Sequence, residues 1–324
     1  MLNPLREKTA VFDYDFGSLS PEESAMDGIF RLGECEVRQI RRMIGGKIEF
    51  VQYGEKILCC ITSCSGQQAI YPLKEVSFEA PAEYVVMDLD GTSIASEEFW
   101  IGIIEQTVSR VAGKNVCFTE EDIPYVSGHT TQEHLNYALN KYGGEVVAPA
   151  MDGFHEISHR ELAAAVSGKS EKIKPMYGLK EFLLTLKNRG VKLGLVSSGL
   201  FYKAIPEIES AFSVMGLGDP RKFYDSIVMG GVEKREGLYS TLGELVAKPH
   251  PWLYQEMLYS GLHCNDGSKA IVLEDSASGV LSARLAGYSV IGMNSGNITA
   301  SGLSGLCSYR ADLLEETLKY ILGN

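Results

Sequence analysis

The chain has 324 residues with 30 Lys and Arg against 42 Asp and Glu, and its formal charge of −12 opposes nonspecific attraction to nucleic acid or to an anionic membrane surface. That length exceeds one compact domain of ordinary size and predicts two or three. No apolar run reaches the length of a membrane span, and the opening MLNPLREKTAVFDYDFG lacks a signal-peptide core, which points to the cytoplasm.

In the first part of the chain, EVRQIRRMI has helical spacing and stops at Gly45-Gly46. KIEFVQY, KILCCIT and AIYPLKEVSF then read as strands, with Gly54-Glu55 as a hairpin turn. Residues 1–80 are therefore expected to form a small α+β domain. The seven cysteines (Cys35, Cys59, Cys60, Cys64, Cys117, Cys264 and Cys307) are odd in number and follow no repeating framework, as reduced thiols would. Cys60 and Cys64 lack the further ligands that a shared metal would need.

The pattern changes at Ala80-Pro81-Ala82. YVVMDL, VKLGLVSS, SIVMG, AIVLED and SVIGM read as strands covered on both faces, alternating with amphipathic helices, the order of a parallel sheet. Between the first and second of these strands, EEFWIGIIEQTVSRVAG, TQEHLNYALNKYG and FHEISHRELAAAVSG read as helices. The expected class is α/β: a Rossmann-like core over 81–94 and 176–324, with a helical cap inserted over 95–175.

Ligands of such sheets sit beyond the carboxyl ends of the strands, so the residues found there carry the chemistry. The first strand ends in Asp88-Leu89-Asp90-Gly91-Thr92, two carboxylates whose charge calls for a cation. The second ends in Ser197-Ser198-Gly199, a hydroxyl followed by small residues whose N–H groups can approach an anion. Lys248 precedes Pro249, His250 and Pro251, where a helix can open. AIVLED ends in Glu274-Asp275, a second acid pair. Each has an ordinary structural account as cap, turn or solvated charge; their order and their places at strand tips set them apart.

The segments MDLDGT, LVSSG, KPHP and LEDSASG resemble the four motifs of the haloacid dehalogenase-like hydrolase superfamily. The likeness runs from about Glu83 to the C-terminus and includes Pro175-Met176-Tyr177-Gly178-Leu179. It implies in-line attack by Asp88 on phosphorus, an aspartyl-phosphate that water hydrolyses, and Asp90 as acid and then base. It also implies Mg2+ held by the Asp88 carboxylate, the Asp90 carbonyl and Asp275, with Glu274 nearby, and a phosphoryl group met by Ser197, Ser198 and Lys248. The expected partner is a small phosphate ester rather than nucleic acid or a membrane.

The nearest rival within the superfamily is a sugar-phosphate mutase. In that group a cap Arg grips a second phosphate, and this chain has Thr131 in its place; a His after the first motif is replaced by Trp100. Hydrolysis is the expected outcome. Trp100, Gly128, His129 and Thr131 are the candidate substrate-facing cap residues, although Trp100 also suits the core of the first cap helix and His129 a helix cap.

Two other motifs compete. Asp13-Tyr14-Asp15-Phe16-Gly17 imitates the nucleophile motif, but it follows no strand and lacks the Thr, so it reads as a surface turn. His155-Glu156-Ile157-Ser158-His159 matches a zinc-protease pattern, with Glu181 as the available third ligand. Glu181 falls on the helix leading to the second motif, and a solvated helix face is the expected reading of His155, Glu156 and His159.

Overall fold

A computed structural model describes residues 19–43, 47–62, 68–119, 121–122, 131–143, 147–168, 172–230 and 247–323. The first described stretch folds as a five-stranded antiparallel sheet in sequential order: β1 (Ser20–Pro21), β2 (Val37–Arg42), β3 (Ile48–Tyr53), β4 (Lys56–Thr62) and β5 (Gln68–Pro72). Gly54, at φ 59°, makes the hairpin turn between β3 and β4, a left-handed conformation that suits glycine. The segment expected to be a helix, EVRQIRRMI, is instead strand β2 for most of its length. Its register slips between Val37 and Gln39, and this bulge brings Val37 and Ile40 to one buried face. A three-residue apolar spacing therefore arose from a bulged strand and imitated a helical period.

Strand alternation in β4 decides how this sheet is used. Ile57, Cys59 and Ile61 enter one core with Val86, Leu253, Val272 and Leu281 of the α/β unit, joined there by Phe50 of β3. On the opposite face, Val51 and Cys60 pack with Ala25, Val37 and Ile40. The sheet is thus buried on both sides, and one side is shared with the parallel sheet. Cys60 is a free buried thiol, whereas Cys64 and the 13–17 motif lie outside the described residues.

The parallel sheet comprises β6 (Tyr84–Asp88), β9 (Lys192–Ser197), β10 (Ser226–Met229), β11 (Ala270–Glu274), β12 (Ser289–Met293) and β13 (Tyr309–Ala311). Its order is β10-β9-β6-β11-β12-β13. The chain leaves the central β6 toward β9 on one side and β11 on the other, so the crevice at the end of β6 is a topological switch point. The two short strands β7 (Ile94–Ala95) and β8 (Lys174–Pro175) pair antiparallel and mark where the chain leaves this core and returns. Between them lie α1 (Glu97–Ala112), α2 (Thr131–Tyr142) and α3 (Val147–Val166). The core helices are α4 (Leu179–Asn188), α5 (Phe201–Met215), α6 (Pro220–Phe223), α7 (Trp252–Glu256), α8 (Ala277–Ala286) and α9 (Leu314–Leu322). No helix among the described residues is long and apolar enough to cross a membrane.

Candidate active site

Asp88 is the last residue of β6, and all five residues of that strand are buried. The next residues turn sharply: Gly91 adopts φ 79°, and the Ser93 and Ile94 amides donate back to the Leu89 carbonyl. The Ser93 hydroxyl donates to the Asp88 carbonyl at 2.6 Å. A side chain at Gly91 would run into the Asp275 carboxylate, so glycine is required for the loop after β6 to approach the end of β11. Gly279 is equally constrained, because a Cβ there would overlap Glu274.

Ligand oxygens of Asp88, Glu274 and Asp275 lie within 4.8 Å of one another. Lys248 Nζ donates to Asp88 Oδ1, and to Glu274 Oε1 at 2.6 Å. Tyr254 also donates to Glu274 Oε1, at 2.5 Å, while the Ser276 amide and hydroxyl approach Oε2 at 3.3 and 3.1 Å. Thr92 donates to Asp275 Oδ1 at 3.2 Å. The Glu274 side chain is fully buried, and that of Lys248 is only 5% exposed.

One ammonium facing three carboxylates leaves two negative charges unmatched. Two like charges about 4 Å apart repel by about 4 kcal/mol at an effective dielectric of ~20, so the cluster suits a divalent cation. The protonation balance carries the same strain. Burial, then Glu274, raises the Asp88 carboxyl well above its ordinary value, and the same two causes push Asp275 up to about 7. Burial alone would lower Lys248, but Asp88 and Glu274 outweigh it and hold the ammonium charged.

The tip of β9 adjoins this group, since Asp88 pairs in register with Val196. Ser197 Oγ accepts from the Gly199 amide at 2.9 Å, and Ser198 Oγ from the Lys248 amide at 3.3 Å. Asp90 is half-buried on the cap side, where the Ser96 hydroxyl donates to its Oδ1. Four sequence-derived positions, Asp88, Lys248, Ser198 and Glu274, are therefore joined by hydrogen bonds, with Asp275 in the same carboxylate cluster and Ser197 and Asp90 alongside.

The cap candidates fare differently. Gly128 and His129 lie outside the described residues, and Thr131 opens α2, half-buried. Trp100 donates its indole N–H to Glu207 Oε1, packs against Phe99 and Phe154, and carries the Lys203 ammonium 3.8 Å above its ring. Its polar edge is thus already engaged by the core helix α5. Glu207 escaped the sequence reading, as did Tyr254. Its signal was a carboxylate on the apolar face of α5, between Ala204 and Ile208, both buried. Burial, then the charge of Asp90, raises the Glu207 carboxyl well above its ordinary value.

The zinc-protease reading gives way. His155 Nδ1 lies 3.3 Å from the Tyr202 hydroxyl, His159 stacks on the Tyr202 ring with centroids 5.3 Å apart, and Glu156 pairs with Arg110 at 2.7 Å. Among the described residues, Asp88, Glu274 and Asp275 form the only group of three or more His, Cys, Asp or Glu that can hold a metal. The two histidines instead bind cap helix α3 to core helix α5.

A parallel sheet with a helical insertion and an acid-rich crevice at its switch point defines an α/β protein with a site suited to a divalent cation. The chain belongs to the haloacid dehalogenase-like hydrolases, whose family model matches residues 85–293. Its fold resembles CbbY from Rhodobacter sphaeroides in complex with phosphate, at 19% identity and a TM-score of 0.56 over 73% of this chain and 96% of that one. It also resembles a putative beta-phosphoglucomutase from Thermotoga maritima, at 22% identity and a TM-score of 0.54, covering 74% of this chain and 98% of that one. A predicted phosphoglycolate phosphatase from Haemophilus somnus 129PT matches at 17% identity and a TM-score of 0.58 over 74% and 98%. Membership of this family supports hydrolase chemistry on this core, and the likeness to the three solved structures is one of fold.

Proposed function

We propose that the protein is a magnesium-dependent phosphatase acting on a small phosphorylated metabolite, with Asp88 as nucleophile and Asp90 as general acid and base. The observation that carries this reading is the cluster of buried Asp88 and Glu274 and half-buried Asp275 around Lys248 at the end of the parallel sheet. Asp88 forms a bond to phosphorus as the ester P–O bond breaks, and the departing oxygen takes the Asp90 proton. Asp90 then accepts a proton from water as that water attacks phosphorus and frees the Asp88 carboxylate.

Asp88, Asp275 and the Asp90 carbonyl would hold Mg2+, with Glu274 beside them. When bound, the ion supplies charge neutralisation to the phosphoryl oxygens. Lys248 orients the nucleophile, and Ser197 and Ser198 present hydroxyls toward phosphate. The division of labour we propose assigns 81–94 and 176–324 to the catalytic core, 95–175 to a substrate-selecting cap containing Trp100, Gly128, His129 and Thr131, and 1–80 to the N-terminal unit. Free thiols at Cys59, Cys60 and Cys264 fit a reducing compartment, for which we take the cytoplasm.

A screen of phosphorylated metabolites, with and without magnesium, tests the reading. Phosphate release that requires magnesium is expected for at least one class of ester, and Asp88→Asn should abolish it without unfolding the protein. Undiminished turnover by Asp88→Asn would remove the assignment. Isomerisation without net phosphate release would instead identify a mutase on the same core.

A further inference from the structure

The five-stranded N-terminal sheet stands outside all four motifs, yet one of its side chains reaches the turn that carries Lys248. The Lys248 ammonium meets two buried carboxylates through a long side chain with four rotatable torsions, so its placement depends on where the backbone of the turn is held. Among the described residues, three side chains from outside the turn hold it. The Lys248 amide donates to Ser198 Oγ at the long distance of 3.3 Å. The Ser282 hydroxyl, from α8, donates to the His250 carbonyl at 2.6 Å. The His250 Nδ1 lies 2.8 Å from the hydroxyl of Tyr71, which belongs to β5 of the N-terminal sheet.

The Tyr71 contact is built rather than incidental. The Tyr71 ring meets His250 edge-on at 5.7 Å and Trp252 edge-on at 6.1 Å. Tyr71 pairs across the sheet with Cys59, whose thiol lies in the core shared by the two sheets. Burial raises the Tyr71 hydroxyl above its ordinary pKa and pulls His250 below its own, so a protonated phenol faces a neutral imidazole. The edge strand of the N-terminal sheet therefore ends in a hydrogen bond on the imidazole two residues from the site lysine.

We infer that the N-terminal sheet is a positioning element of the active site: Tyr71, acting through His250, fixes the turn that places Lys248 against Asp88 and Glu274. This rests on the reading of Lys248 as a residue of the site. The role is indirect, since neither Tyr71 nor His250 touches the carboxylates.

The test uses the full-length protein, with Tyr71→Phe to remove the hydroxyl while keeping the ring, His250→Ala, the double variant, and Ile70→Ala as a control. Ile70 is the neighbour of Tyr71 on the same strand and is 42% exposed. The first readout needs no catalysis: with lysine 15N-labelled at Nζ, the buried Lys248 ammonium gives a slowly exchanging signal, assigned by its loss in Lys248→Arg. Tyr71→Phe and His250→Ala should each broaden or shift that signal, the double variant should do no more than His250→Ala, and Ile70→Ala should leave it in place. The second readout is hydrolysis of para-nitrophenyl phosphate with magnesium, where Tyr71→Phe should lower kcat about tenfold with KM nearly unchanged.

A lowered melting temperature with an unmoved Lys248 signal would overturn the inference and leave the contact as sheet-to-core packing. So would independent, additive effects of the two substitutions. An inactive wild type whose Lys248 signal still responds to Tyr71→Phe would count against the phosphatase reading while preserving the positioning role.

Discussion

Lys248 stands beside two buried acids, Asp88 and Glu274, and a half-buried third, Asp275, and its charge offsets part of the repulsion among them. Lys248→Met should therefore destabilise the metal-free protein by about 3–5 kcal/mol, the range for deleting one member of a buried ionic group. Urea denaturation at neutral pH would show this as a lower midpoint, and added magnesium should recover part of it. An unchanged midpoint would mean that water reaches the cluster and screens it. Glu207 poses a simpler case, because among the described residues its Oε1 accepts the hydrogen bond of the Trp100 indole. Glu207→Ala should cost about 1 kcal/mol by removing the acceptor of the half-buried Trp100 N–H, whereas Glu207→Gln, which keeps an acceptor, should cost less. Equal losses in thermal unfolding would show that side-chain volume, not the hydrogen bond, is what matters there. At this scale the sequence reveals charge but not partnership. Asp88, Glu274 and Asp275 were legible because they end predicted strands, while Glu207 and Tyr254 were not, since only the packed helices show that one meets Trp100 and the other Glu274.

Among the elements, α2 is tied down by a single buried acid. Asp122 accepts from the Thr119 amide at 2.8 Å, Tyr137 at 2.7 Å, Lys141 at 2.6 Å and Tyr142 at 2.6 Å. Burial pushes its carboxyl up, but the bonds from Lys141, Thr119, Tyr142 and Tyr137 outweigh this and leave it below the ordinary range. The folded state thus releases the Asp122 proton more readily than the unfolded chain, whose aspartate titrates near about 3.9. The stabilisation is complete above that value and fades as pH falls below about 4. Asp122→Asn should accordingly weaken hydrogen-exchange protection of α2 at pH 7, and the gap from wild type should narrow toward pH 3. A gap independent of pH would assign the effect to shape rather than charge. Elements were legible in proportion to the clarity of their period. The strands of the parallel sheet and the three cap helices declared themselves through apolar runs or amphipathic spacing. β2 did not, because its bulge put Val37 and Ile40 on one face, and β13 did not, because three residues carry too little pattern.

At the scale of the molecule, the sequence marks a change at residues 80–82 but cannot show that the sheets on either side share a core. Phe50, Ile57, Cys59 and Ile61 are each at most 3% exposed because Val86, Leu253, Val272 and Leu281 cover them. Each sheet would expose a broad apolar face without the other, which makes independent folding costly. Phe50→Ala tests the consequence, with an expected loss of about 3–5 kcal/mol for an aromatic removed from a packed interior. In differential scanning calorimetry a shared core predicts that the transition containing the parallel sheet moves to lower temperature as one unit. An independently stable N-terminal sheet would instead produce a separate small transition, and only that one would shift. The same experiment on Asp88→Asn, which alters the crevice and not the shared core, should leave the transition single, so the two variants separate the integrity of the fold from that of the site.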